Sequence, residues 1–89
     1  MKKKAIIFGG SSGIGFFFTK ELINRGYNVT VISSDIVKLK KAKKIIKQEM
    51  SSNIDIYELD LLNQKKFKNF WIRIKKDKKK YNFVLYSAG

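Results

Sequence analysis

Eighty-nine residues are enough for one domain, and a chain of that size buries only ~60–65% of the surface its unfolded form exposes. An apolar fraction of 44%, with seven Phe, four Tyr and one Trp, argues for a globular fold over disorder, and the lack of cysteine and histidine excludes disulfides, zinc clusters and imidazole catalysis. A net charge of +13 suits a polyanion or an anionic membrane surface, but lysine outnumbers arginine eighteen to two, whereas specific phosphate recognition favours arginine forks.

The chain opens on three lysines and the apolar run Ala5-Ile6-Ile7-Phe8. Four apolar residues fall short of the ~7–15 of a secretory signal, and no later segment reaches the ~20 of a membrane span. A cytoplasmic protein without membrane insertion is the expectation. The run reads as a first strand, Lys4 to Phe8, buried on both faces. Phe8-Gly9-Gly10-Ser11-Ser12-Gly13-Ile14-Gly15 follows, a glycine-rich turn leading into a helical pattern from about Gly13 to Arg25. The first amides of such a helix have no intrahelical partner and point at whatever anion sits before them. A phosphate loop of the NTPase kind would need Gly-x-x-x-x-Gly-Lys-Ser/Thr, and no lysine follows Gly13 or Gly15. Gly9 is expected to take the positive φ of the turn, Gly13 to let the backbone approach a pyrophosphate, and Gly15 to let helix and sheet pack closely.

Within the first helix Ile14, Phe18 and Leu22 form the apolar stripe, and Gly26 stands where a left-handed stop belongs. Phe16, Phe17 and Phe18 cannot all face one way, so at least one should be exposed. A second strand spans Asn28 to Ile32. Ser34 or Asp35 can cap the next helix, whose Leu39, Ala42, Ile46 and Met50 make the buried stripe while the interleaved lysines face solvent. Ser51-Ser52-Asn53 breaks that helix. The third strand runs from Ile54 to Leu59. The third helix begins near Asn63, with Phe67, Phe70, Trp71 and Ile74 inward and Ile72 outward. A fourth strand runs from Tyr81 or Asn82 to Tyr86. Strands alternating with helices imply an α/β parallel sheet with right-handed crossovers.

Gly9, Gly13 and Gly15 give G-x-x-x-G-x-G, which resembles the T-G-x-x-x-G-x-G fingerprint of the short-chain dehydrogenase/reductase family, with Phe8 in place of threonine. Two further features fall where that family has them. Asp60-Leu61 resembles the pair whose carboxylate bonds the adenine amino group while its apolar neighbour packs under the ring. Tyr86-Ser87-Ala88-Gly89 resembles Asn-Asn-Ala-Gly beside the nicotinamide-side ribose, with Ala88 and Gly89 the literal matches. The resemblance covers the whole chain and implies a Rossmann-type doubly wound sheet of about four strands in the order 3-2-1-4, with helices one and two on one face and helix three on the other, the cofactor lying across the carboxyl ends of strands one and four. It implies the NAD(P)-binding half of an oxidoreductase that moves hydride to or from a carbonyl or alcohol carbon. The cofactor-binding residues it marks are Gly9, Ser11, Ser12, Gly13, Ile14, Gly15, Ser33, Ser34, Asp60, Leu61, Ala88 and Gly89.

By the same resemblance Ser33 stands where an NAD-selecting Asp would be and Ser34 where NADP users often have Arg, so NADP is favoured over NAD. Asp35 falls beyond the ribose, beside the helix cap. The family's catalytic Tyr-x-x-x-Lys pair has no counterpart among these residues: four positions after Tyr27, Tyr57 and Tyr81 stand Val31, Leu61 and Leu85, and Tyr86 has only three residues after it. No catalytic residue is assigned. The expectation is a half-domain, residues 1–89, lacking the catalytic half, inactive alone and able to self-associate through its last strand. Two other classes stay open: a non-catalytic nucleotide-binding or interaction module, and a basic domain binding nucleic acid without sequence specificity.

Overall fold

The computed structural model describes residues 3–9, 11, 13–76 and 81–87. Elements alternate along the chain as β1 (Lys4–Phe8), α1 (Gly13–Asn24), β2 (Asn28–Ser33), α2 (Ile36–Met50), β3 (Asp55–Glu58), α3 (Gln64–Lys76) and β4 (Phe83–Tyr86). The four strands pair in the order β3-β2-β1-β4, all parallel. Ile7 stands opposite Val31 on one side and Leu85 on the other, so β1 is flanked by strands and must be apolar on both faces. Ala5 to Phe8 are accordingly buried. Alternate residues face opposite ways. Ala5, Ile7, Val29 and Val31 join Leu22 of α1 and Leu39 and Ile46 of α2 in one core, while Ile6, Phe8 and Ile32 join Ile74 of α3 in the other. The sheet order and helix sides match the reading of the sequence, and the strands differ from it by one or two residues at their ends.

Each helix is bounded by local chemistry. At the end of α1, Tyr27 N–H donates to the Leu22 carbonyl at 2.9 Å and Gly26 N–H to that of Ile23 at 3.0 Å, the paired bonds of a Schellman stop, with Gly26 at φ +86°. The cap of α2 is Asp35, whose Oδ1 accepts from Val37 N–H at 3.0 Å and Lys38 N–H at 3.1 Å. Asn63 starts α3, its Oδ1 accepting from Lys66 N–H at 3.1 Å. The inward face of α3 meets Phe8, whose ring centre lies 5.5 Å from that of Phe67 and 6.0 Å from those of Phe70 and Trp71. Burying Phe8 is worth ~1.5–3 kcal/mol, and each well-placed ring pair adds ~0.5–1.5 kcal/mol.

The buried face of α1 departs from the expected stripe. Ile14 and Phe18 are exposed, and Gly15, Thr19 and Leu22 are the buried residues. A helix lying close on a sheet presents small side chains to it. Thr19 also turns its hydroxyl inward, donating to the Gly15 carbonyl at 2.9 Å, so its polar group is satisfied under cover. Phe16 is half-buried against the core of this face, and the Lys20 ammonium lies 5.0 Å from its ring centre. Phe17 and Phe18 are exposed, as the three consecutive aromatics required of at least one. They share a pocket with Phe83 of β4, the last strand of the described sheet, whose Phe83, Val84 and Tyr86 are exposed as well.

Candidate functional site

The carboxyl ends of the four strands are tied at one level. Gly9 N–H donates to the Ile32 carbonyl at 2.6 Å, Ser87 N–H to that of Phe8 at 2.8 Å, and Leu59 N–H to that of Ser33 at 2.9 Å. Gly9 sits at φ +82°, and a Cβ built there would run into the Ser87 carbonyl. Only glycine lets the chain leave β1 between its two neighbours.

Just above these ends is a crevice of about 370 Å³. Gly9 and Ser11 line it after β1, Ser33 and Ser34 at β2, and Leu61 and Leu62 after β3. Tyr86 and Ser87 close the β4 side, and Asp35 and Lys38 come from the start of α2. Ser33 is buried, its Oγ accepting from Ser11 Oγ and from Asp35 N–H, both at 3.3 Å. Of the two caps the sequence allowed for α2, Ser34 and Asp35, it is Asp35 whose Oδ1 accepts from the α2 amides. Neither α1 nor α2 has an acidic residue in its first turn, and the crevice carries one side chain of each sign, Asp35 and Lys38.

Of the residues marked from the sequence, the crevice gathers Gly9, Ser11, Ser33, Ser34 and Leu61. Gly13 opens α1 at φ +59°, and among the described residues nothing lies within 4 Å of a Cβ placed on it. Ile14 follows, 72% exposed, and Gly15 is buried; both contribute amides of the first helical turn. Ser12, Ala88 and Gly89 lie outside the described residues. Asp60 lines a neighbouring pocket of about 710 Å³, which shares Ser34 with the crevice and is flanked by Lys66 and Arg73. Its Oδ1 accepts from Leu62 N–H at 3.0 Å, and its carbonyl from Asn63 N–H at 3.1 Å, so it also fixes the turn that brings Leu61 and Leu62 to the crevice.

Lys38 is the functional candidate the sequence reading missed. Among six lysines of an amphipathic helix it reads as one more solvated charge. Its signal was its distance from the cap: three residues after Asp35, it lies on the first turn and on the same side as that cap. Among the described residues there is no cluster of acidic side chains able to hold a metal, and no helix long and apolar enough to cross a membrane.

The sequence profile of the short chain dehydrogenase family matches residues 3–89. The chain is similar to a very-long-chain 3-oxoacyl-CoA reductase of Kluyveromyces lactis, 36% identical over 62 residues, which cover 70% of this chain and 18% of that one. It is similar to human retinol dehydrogenase 13, 28% identical over 88 residues, covering 98% of this chain and 27% of that one. Among solved structures it superposes on a bulky-bulky ketone specific alcohol dehydrogenase from Comamonas testosteroni with a TM-score of 0.83 at 28% identity, covering 98% of this chain and 35% of the other. The chain thus spans between about a fifth and a third of the length of these relatives. A parallel 3-2-1-4 sheet, a glycine turn at the end of β1 and a profile match over nearly every residue agree: the chain belongs to the short chain dehydrogenase family.

Proposed function

We propose that residues 1–89 are the NADP(H)-binding part of an oxidoreductase that moves hydride between a nicotinamide and a carbonyl or alcohol carbon. The observation that carries the reading is the crevice itself, where the glycine turn, two serines and a lysine converge on the strand ends. Gly9 supports it, since its lack of a side chain lets β1 leave the sheet against the Ser87 carbonyl, and so does Gly13, since none of the described residues lies within 4 Å of a Cβ placed on it. Hydride donation or acceptance is the chemistry a bound nicotinamide supplies. The chain's own residues bind and orient. The α1 amides from Gly13 to Gly15 would face the pyrophosphate, Leu61 would pack under the adenine, and Asp60, through the carboxylate oxygen not used by Leu62, would accept from the adenine amino group.

The preference for NADP over NAD rests on what surrounds the ribose position. Ser33 and Ser34 are small and uncharged, Asp35 Oδ1 accepts from the Val37 and Lys38 amides, and Lys38 lines the same crevice. A free carboxylate there would repel a 2′-phosphate; a lysine attracts one. Lys38→Ala is expected to weaken NADP+ binding about tenfold, the loss of one charge-assisted hydrogen bond, while NAD+ binding changes less than about twofold. Titration calorimetry with both dinucleotides reads the difference. Equal changes for the two would place Lys38 away from the 2′-phosphate.

The 89-residue chain is expected to reduce no carbonyl, even at concentrations where it binds cofactor. The alkoxide left by hydride transfer needs a positioned acid, worth ~10²–10⁴-fold, and none of the tyrosines here is followed four residues later by a lysine. The check is steady-state oxidation of NADPH and NADH against ketones and aldehydes, beside the Tyr86→Phe variant. Turnover present in the parent and absent from the variant would show that this half-domain carries its own acid.

A further inference from the structure

The described sheet ends in two unlike edges. β3 carries Asp55 and Glu58 within four residues, whereas β4, Phe83 to Tyr86, carries no charge. Among the described residues each of these strands is paired on one side only. Charges on an edge strand keep other strands from adding to it, so the sheet is guarded at β3 and unguarded at β4. Both faces of the β4 edge are bare: Phe83 is in register with Ala5 on the α1 side, Val84 with Ile6 on the α3 side. Phe83, Val84 and Tyr86, with Phe17 and Phe18 of α1, are each 39% to 60% exposed. Phe17 and Phe18 meet edge-on, ring centres 5.8 Å apart, and with Tyr27 and Phe83 they line a groove of about 470 Å³ beside β4. Two charged residues line the same groove, Glu21 and Arg25, one of each sign.

Whatever covers this edge must bring a strand, apolar side chains for two faces and one charge of each sign. A second copy of the chain brings all three. At a net charge of +13 two copies repel over most of their surface, and the groove is a place where the charges balance. A two-fold axis normal to the sheet sets the two β4 strands antiparallel, lays α1 beside the other copy's α1 and turns Glu21 of each toward Arg25 of the other. We infer that two copies of residues 1–89 pair through β4 and α1 into one continuous sheet, four strands from each copy. The charged β3 edges stay outside, so assembly closes at the dimer. The five side chains expose on the order of 400 Å² per copy, below the ~800 Å² per partner of a standard interface, which sets a micromolar affinity. The inference does not depend on what the crevice binds.

Sedimentation equilibrium of the 89-residue chain tests it. The mass should double with a midpoint of about 1–100 μM. Raising salt from ~0.05 to ~0.5 M should tighten the dimer several-fold, because screening removes the repulsion between like-charged copies. Val84→Lys puts a cation into the joined strands and should weaken pairing about tenfold or more. Gln48→Lys adds the same charge at an exposed position of α2 and should change it less than about twofold. Arg25→Glu should weaken pairing although it lowers the net charge, and adding Glu21→Arg should restore it within about twofold, since the pair is then reversed and again self-complementary. Circular dichroism checks that each variant is folded; if Val84→Lys is not, the charge reversal decides. A chain still monomeric at ~200 μM, growth past the dimer, equal weakening by the two lysine variants, or a reversed pair that restores nothing overturns the inference.

Discussion

Gly9→Ala is expected to lower the melting temperature by ~12–24 °C, or to leave no cooperative transition. The alanine would hold φ +82°, a left-handed conformation that costs an L side chain ~1–2 kcal/mol. Its Cβ would also enter the Ser87 carbonyl, so the ends of β1 and β4 would have to part. That puts at risk the 2.8 Å bond from Ser87 N–H to the Phe8 carbonyl and the contact between the Phe8 and Tyr86 rings. A combined loss of ~3 kcal/mol or more falls on a chain whose whole stability should be ~4–13 kcal/mol, and each kcal/mol moves the midpoint of a domain this small by ~4–8 °C. Thermal unfolding by circular dichroism measures it. A midpoint within ~4 °C of the parent would mean that β4 yields at no cost and that the Gly9 turn is not tightly built.

Gly13→Asp separates the opposite pair of effects, little change in folding and a large loss of ligand. At φ +59° an aspartate is among the side chains that tolerate the left-handed region, and among the described residues nothing lies within 4 Å of its Cβ. The melting temperature should move by only a few degrees, ~1 kcal/mol of strain at ~4–8 °C per kcal/mol. Cofactor affinity should fall more than about a hundredfold, since a carboxylate ~4 Å from a phosphate costs ~4 kcal/mol at the effective dielectric near a protein surface. Gly13→Asn adds similar bulk without charge and should lose much less, which isolates the electrostatic part. Affinity for NADP+ kept within about twofold in the Asp variant, less than ~0.5 kcal/mol, would show that no pyrophosphate sits at the head of α1.

Gly9 was legible from spacing as the residue of positive φ, as were the parallel sheet and the faces of α2 and α3, while the strand order came with the family resemblance. Leu39, Ala42 and Ile46 repeat at helical intervals, and all three are buried. The face of α1 was not legible by that rule. The search for large apolar side chains selected Ile14 and Phe18, whereas the sheet selects Gly15 and Thr19 because small groups permit close approach. Size and burial are opposed on that helix, so periodicity in hydrophobicity pointed about one residue away from the true contact. Lys38 escaped for a different reason. Its spacing of three residues from Asp35 becomes a signal only once Asp35, and not Ser34, is known to be the cap that fixes the first turn of α2. Asp60 was legible as a residue beside the strand ends, but its bond to Leu62 N–H depends on the turn conformation and not on composition.

The position of β1 between β2 and β4 bears on how the chain folds. The earliest strand in sequence takes its last partner from the far end of the chain, as Lys4 N–H donating to Asn82 Oδ1 across 78 residues illustrates. Closing so long a loop costs entropy before the pairing returns anything. Until β4 docks, a three-stranded intermediate would present β1, the most deeply buried strand of the sheet, as a bare edge, with Ile6 and Phe8 lacking their neighbour on that side. Refolding should therefore be limited by the arrival of β4, and the interval before it arrives is when the chain is most prone to pair with the wrong partner.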